Sequence, residues 1–177
     1  MSKVPLAIEI ATKAHRGQVD KLGADYINHP MRVHRNLLSH PNFKNLSLQD
    51  QDDAAVAAIM HDVIEDSGDG PDSEKFTKQD LLALGFTDRS IEIVELLTRS
   101  GDVHPDTYYQ RINADPLAKL VKWSDIADNL NVYRTAGLDP EKRDRLAARY
   151  ERALEIVELA NTDKQWLETA KQHLLAL

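Results

Sequence analysis

The stretch Ala54–Asp66, AAVAAIMHDVIED, decides how this chain folds. It opens on small and aliphatic residues with no polar side, the pattern of a helix buried all round. It closes on His61, Asp62, Glu65 and Asp66. Unpartnered burial of three carboxylates and an imidazole is costly enough that a positive partner belongs among them. A metal ion is the simplest such partner. The spacing predicts one helix through the whole stretch, with His61 and Glu65, and likewise Asp62 and Asp66, stacked one turn apart so that the polar groups face one spot.

Around that stretch lies a chain of 177 residues, 42% of them hydrophobic. This predicts one domain over residues 1–177, with a core from about 5 to 160 and a C-terminal packing helix at about 163–175. No apolar run approaches the roughly 20 residues of a membrane span, and the N-terminus lacks a basic start with an apolar core. A soluble, cytoplasmic protein is expected. The absence of cysteine means that any metal is held by histidines and carboxylates. A formal net charge of −7 argues against a nucleic-acid polymer as partner. A small anionic substrate in a locally positive pocket remains compatible with it.

N-terminal to the central stretch, Pro5–Arg16 reads as a helix stopped by Gly17, with His15 packed or at the surface. The loop Gln18–Asn28 carries Lys21, Gly23 and Tyr26, which are placed to border a pocket. In Asn28-His29-Pro30 the proline suits the first position of a helix reaching Ser39, which puts His29 at or near its cap. A histidine there is ordinarily a capping residue; a ligand is the other reading. Ser47 caps the central helix, whose first turn is acidic at Asp50, Asp52 and Asp53. After Asp66 the run SGDGPDS reads as a mobile loop near the mouth of a site.

C-terminal to it, Thr77 and Thr87 cap helices over 78–84 and 88–98 that look purely structural, and His104 sits in a loop before a helix over 106–114. Asp115-Pro116 opens a helix predicted to run to Tyr133. Lys122, Asp125 and Asn129 share one face of it. They read as an ammonium, a ligand and an amide aimed one way, or as a solvated Lys–Asp pair. A turn over 134–139, a helix from Pro140 to Ala160 and a last one over 163–175 follow, with His173 at the surface. Strand signals are scarce, so the architecture is all-α.

The separated set His29, His61-Asp62 and Asp125 resembles the H…HD…D signature of HD-domain metal-dependent phosphohydrolases. HDVIED at 61–66, the run Gln18…Lys21…Tyr26-Ile27-Asn28-His29-Pro30 and VKWSDIADNL at 121–130 are similar to the hydrolase domain of the RelA/SpoT family and its small single-domain alarmone hydrolases. The resemblance spans residues 6 to about 160 and leaves no room for the synthetase domain of the large bifunctional members. It implies a compact helical HD domain in which His29, His61, Asp62 and Asp125 hold a divalent metal, Mn²⁺ by family habit. It further implies that Glu65 and Asp66 handle the nucleophilic water, and that Lys21, Tyr26, Lys122, Asn129 and Arg134 contact the substrate. The implied reaction removes the 3′-diphosphate of guanosine tetra- or pentaphosphate (ppGpp or pppGpp), giving GDP or GTP and pyrophosphate.

The chain departs from that pattern in places. Asp20-Lys21 stands where many members have Arg-Lys, Asp25 where they have proline, and Ile126 and Asp128 where basic residues or histidine are common. The lost arginine is one the family uses near the base, which favours an alternative: an HD phosphohydrolase acting on another nucleotide or phosphoester. A non-catalytic helical binding module is the third reading, and it predicts decay of the ligands or of Glu65-Asp66. None has decayed.

Overall fold

The computed structural model describes residues 1–172. His173 and the end of the last predicted helix lie outside the described residues. Among those described the chain is helical, without strands, apart from one isolated bridge between Val19 and Asp25. In order the helices are α1 Val4–Ala14, α2 Asn28–Ser39, α3 Leu48–Met60, α4 Val63–Asp66, α5 Lys78–Ala83 and α6 Asp88–Leu97. Then come α7 Pro105–Asn113, α8 Pro116–Asn129, α9 Val132–Thr135, α10 Pro140–Ile156 and α11 Asn161–Gln172.

Two of these form the interior. Every residue from Asp53 to Met60 of α3 and from Leu120 to Asp128 of α8 is buried. A helix without a polar side has to be surrounded, and α3 is: α1, α2, α6 and α8 all pack on it. In turn α8 is flanked by α2, α7 and α11, and α10 backs α7. The same small residues that make α3 apolar, Ala54, Ala55, Ala57 and Ala58, let these neighbours approach closely.

The helix starts follow local chemistry. Ser47, Thr77, Thr87, Asp115 and Asp139 each accept a backbone N–H of the first turn, and Thr77 with Asp80 forms a reciprocal capping box. Gly17 and Gly85 end helices in the left-handed region, at φ +75° and +81°. The loop after Asp66 is seated rather than free. Pro71 packs where a Cβ on Gly17 would go, and a Cβ on Gly70 would stand 2.3 Å from the Arg16 carbonyl.

Several boundaries differ from expectation. The predicted continuous helix through 54–66 is broken: α3 stops at Met60, and α4 starts again at Val63. His29 lies near the cap rather than at it, two positions after Ile27, because α2 begins at Asn28. Pro30 is tolerated inside the first turn, whose N–H groups have no helical partner. The helix predicted to reach Tyr133 ends at Asn129, and Asn131 caps α9, so Arg134 is helical rather than part of a turn. The last helix begins at Asn161 instead of 163.

Candidate active site

The break in the central stretch has a local cause. The His61 Nδ1–H donates to the Ala58 carbonyl at 2.9 Å, the group that the Asp62 N–H would use if the helix continued. A carbonyl only accepts, so the neutral ring carries its proton on Nδ1 and its lone pair on Nε2. That nitrogen is buried and makes no well-directed hydrogen bond, and the oxygen nearest to it, Asp62 Oδ2 at 3.0 Å, is an acceptor like itself. An orphaned buried acceptor is a cost that a bound cation removes.

A second imidazole meets it. His29, in the first turn of α2, gives its Nδ1–H to Asp128 Oδ2 at 2.7 Å, which leaves its Nε2 at 3.3 Å from Asp125 Oδ1 and 3.8 Å from Asp62 Oδ2. The two rings stand edge to face, 5.2 Å apart. His29, His61 and Asp125 are all buried, and each offers a ligand atom within 4.8 Å of the other two. Asp62 lies beside this trio, its Oδ2 at 3.0 Å from His61 Nε2, and the same oxygen accepts the Tyr26 hydroxyl at 2.6 Å. Imidazole nitrogens with anchored far sides, among carboxylates and without thiolate, fit a divalent ion such as Mn²⁺, Fe²⁺ or Zn²⁺.

The charges agree. Burial pulls His29 down, but its hydrogen bonds to Asp125 and Asp128 outweigh that and raise it to about 9. His61 is raised in the same way, with Asp62 overcoming burial. Asp62 and Asp125 are held below the usual carboxylate range despite burial, Asp62 by His61 and Asp125 chiefly by Lys122. Carboxylates that keep their charge and draw a proton onto the imidazoles mark a centre with surplus negative charge; a metal ion at the two Nε2 atoms would take the place of those protons.

The shared face of α8 is real and lies inside. Lys122 Nζ donates to Asp125 Oδ2 at 2.8 Å, and Asn129 Nδ2 donates to Asp125 Oδ1 at 2.5 Å. Lys122 is 7% and Asp125 4% exposed, so the pair is not a solvated surface bridge. The ammonium also stands over the Tyr108 ring, 5.5 Å from its centroid.

A cleft of about 380 Å³ opens onto this centre. Lys21, Glu65, Asp66, Arg99, Arg134 and Arg149 all line it. Glu65 Oε2 accepts the Arg99 backbone N–H at 2.7 Å. Asp66 is pushed up to about 6, first by burial and then by the neighbouring Asp62 and Glu65. Gln18 braces the turn from α1, donating to the Asp66 carbonyl at 2.7 Å while holding His15 Nδ1 at 2.8 Å.

Of the residues singled out in the sequence, Tyr26 has its hydroxyl on Asp62, and Lys122 and Asn129 both hold Asp125; all three line the cleft. Arg134 lines it too, with its guanidinium on the Asp128 carboxylate and 3.6 Å from Asp20. Asp128 was noted in the sequence merely as a departure. It is the buried acid on which His29, Arg32 at 2.7 Å and Arg134 converge. Helical spacing carried the signal: Asp128 follows Asp125 by three residues and Arg32 follows His29 by three. Arg99 and Arg149 arrive from the end of α6 and from α10, segments read as structural, and nothing local marks them.

No protein-family model matches the chain. A probable GTP pyrophosphokinase of Mycobacterium leprae is 28% identical over 152 residues, covering 83% of this chain and 18% of the relative. The chain thus spans less than a fifth of that protein's length. A solved structure of a metazoan ortholog of SpoT, described as hydrolysing ppGpp and acting in starvation responses, superposes with a TM-score of 0.72 at 20% identity. The match covers 96% of this chain and 94% of that one. The two share a helical fold over nearly their whole length, in line with the resemblance that the motifs carry.

Proposed function

We propose that this chain is a divalent-metal-dependent phosphohydrolase that removes the 3′-diphosphate of guanosine tetra- or pentaphosphate, yielding GDP or GTP and pyrophosphate. The observation that carries it is the bare, buried His61 Nε2 beside His29 and Asp125, with both far imidazole nitrogens anchored, by Ala58 and by Asp128. His29, His61, Asp62 and Asp125 form the ligand set, and Mn²⁺ is the ion that the family resemblance favours. Such an ion lowers the pKa of water and takes up charge on the phosphoryl oxygens. The fold shared with a ppGpp hydrolase supports the substrate class.

The chain's own groups supply the rest. Asp66, raised to about 6, is poised to accept the proton of the attacking water near neutral pH. Glu65, fixed by the Arg99 N–H, shares the mouth of the cleft with it and orients that water. Attack occurs at the phosphorus bonded to the ribose O3′. The P–O3′ bond breaks, the 3′ oxygen leaves as a hydroxyl on taking the proton that Asp66 accepted from the water, and the water oxygen departs in pyrophosphate. Tyr26 keeps Asp62 in place, and Lys21, Arg99 and Arg149 balance the phosphate charge.

One observation favours a second reading, a phosphohydrolase for another nucleotide or phosphoester. Asp20, where the family has arginine, faces Arg134 and Arg32 at 3.6 and 3.9 Å instead of presenting a cation to a base. The test is incubation of the Mn²⁺-loaded protein with guanosine tetraphosphate and a nucleotide panel, with pyrophosphate and orthophosphate both measured. Release of GDP and pyrophosphate is expected. Orthophosphate alone, released from ordinary nucleotides, would overturn the alarmone assignment in favour of the second reading.

A further inference from the structure

We infer that a second anion subsite adjoins the metal centre, on α10 and the loop before it, and that it takes the other phosphate-bearing end of a substrate phosphorylated at both ends. The inference rests on the reaction proposed above and adds a discriminating contact to it. A cavity of about 490 Å³ is lined by Lys21, Leu138, Lys142, Arg145, Leu146 and Arg149, together with Gly137 and Asp139. Four cations thus face one cavity in a chain of formal net charge −7. Its one acid, Asp139, is engaged as the cap of α10, accepting the Lys142 N–H at 3.1 Å. Among the described residues none of the four cations forms an ion pair; Arg149 rests over the Tyr150 ring, 5.5 Å from its centroid. Unneutralised cations gathered round a concave surface attract an anion.

Position supplies the second argument. Lys21 and Arg149 line both this cavity and the cleft over the metal centre. A small void of about 10 Å³ shares Lys21, Asn129 and Arg134 with the cleft and Lys21, Leu138 and Leu146 with the cavity, so the three are neighbours on the surface. Next to the metal centre, then, lie Asn129 and Arg134, and the adjoining cavity adds Leu138 and Leu146 to its cations. A nucleoside with phosphate at both ends carries the complementary groups, two anions joined through an apolar ring. Burial lowers the pKa of Lys21, and then the nearby Arg149 and Arg134 do. Like charges crowded in this way are relieved by an anion bound between them. A cavity of about 390 Å³ beside α6 offers no such surplus: Arg89 and Arg111 there stand among Glu92, Glu95 and Asp115, and Arg89 is paired with Asp115 at 2.7 Å.

The test uses K142A/R145A, whose two positions are exposed and do not line the metal cleft. The measured quantity is kcat/KM for guanosine 5′-diphosphate 3′-diphosphate divided by that for guanosine 3′-diphosphate with a free 5′-hydroxyl. The variant should lower this ratio roughly tenfold or more, through KM, as expected for losing charge-assisted phosphate contacts. An unchanged ratio overturns the subsite. Calorimetric titration with inorganic pyrophosphate distinguishes the sources of the anion. If pyrophosphate binding weakens in the variant while the ratio holds, the cavity serves a free anion, and the substrate-end assignment falls. If the intact protein hydrolyses neither substrate, the proposed reaction fails instead, and titration with GDP decides the subsite. Binding that is roughly tenfold weaker in K142A/R145A keeps it, and equal binding removes it.

Discussion

Two buried histidine clusters meet on α8, and they put the same side chain to opposite uses. At the candidate metal centre, His61 Nδ1 donates to a carbonyl, so its Nε2 presents a lone pair among carboxylates. At the other cluster, His40 lies between Trp123 and Trp166, at centroid distances of 5.6 and 4.4 Å, and its Nδ1 accepts the Asn42 N–H at 3.1 Å. The proton of a neutral His40 therefore sits on Nε2, facing Asp163 at 3.4 Å. That carboxylate is already engaged by the Asn42 side chain at 3.1 Å and by the Ala160 N–H at 3.3 Å. One hydrogen bond at Nδ1 thus separates a candidate ligand from a packing group. Surroundings sharpen the contrast, since carboxylates raise His29 to about 9 whereas burial lowers His40.

The sharpest way to break the comparison is to cut each cluster once. His61→Ala should abolish metal retention, read by elemental analysis after gel filtration, and turnover with it. Trp166→Ala should leave metal content intact while lowering unfolding stability by about 3–5 kcal/mol in denaturant titration, the scale of a large aromatic truncation. If the two variants behaved alike in metal content, the division of roles would be wrong.

Next in size is Asp66→Asn, which should keep the metal and lose about 10²–10⁴-fold in kcat. Because Asp66 must be ionised to accept a proton, the wild-type rate should climb as pH rises through about 6, and that limb should vanish in the variant. A wild-type profile that is flat from pH 5 to pH 7 would remove Asp66 from this role.

Asp128→Asn tests the anchoring of His29 and should weaken metal binding by about 10–100-fold, measured by competition with a chelator. Unaltered affinity would reduce Asp128 to a partner of Arg32 and Arg134. The smallest effect belongs to His40. Its folded pKa is lowered below the unfolded value of about 6.5, so the unfolded chain binds the proton more readily. Its contribution is full above pH ~6.5 and is lost as pH falls below that. The stability difference between wild type and His40→Gln, measured after chelator treatment, should shrink on acidification; a constant difference would contradict the burial argument.

Much of this was readable along the chain because it is local. The buried, acid-ending run at 54–66 and the Lys122–Asp125–Asn129 face each follow from helical spacing within a few residues. The break at His61 was not, since it depends on which carbonyl one imidazole chooses. Asp128 showed as an oddity of sequence, and its meaning came from His29, 99 residues away, which it holds at 2.7 Å. Arg99 and Arg149 carry no local mark at all.

By itself, then, the sequence determined the all-helical class, the capped helix starts at 48, 78, 88, 116 and 140 and the stock of candidate metal-binding side chains, because propensity, capping and periodicity act over one or two turns. Which nitrogens turn inward, which carboxylates keep their charge, and which cations gather at the cleft and the cavity beside it were decided by tertiary structure alone. Those properties depend on groups brought together from α2, α3, α8 and α10, and neither burial nor Coulomb interaction follows the order of the chain.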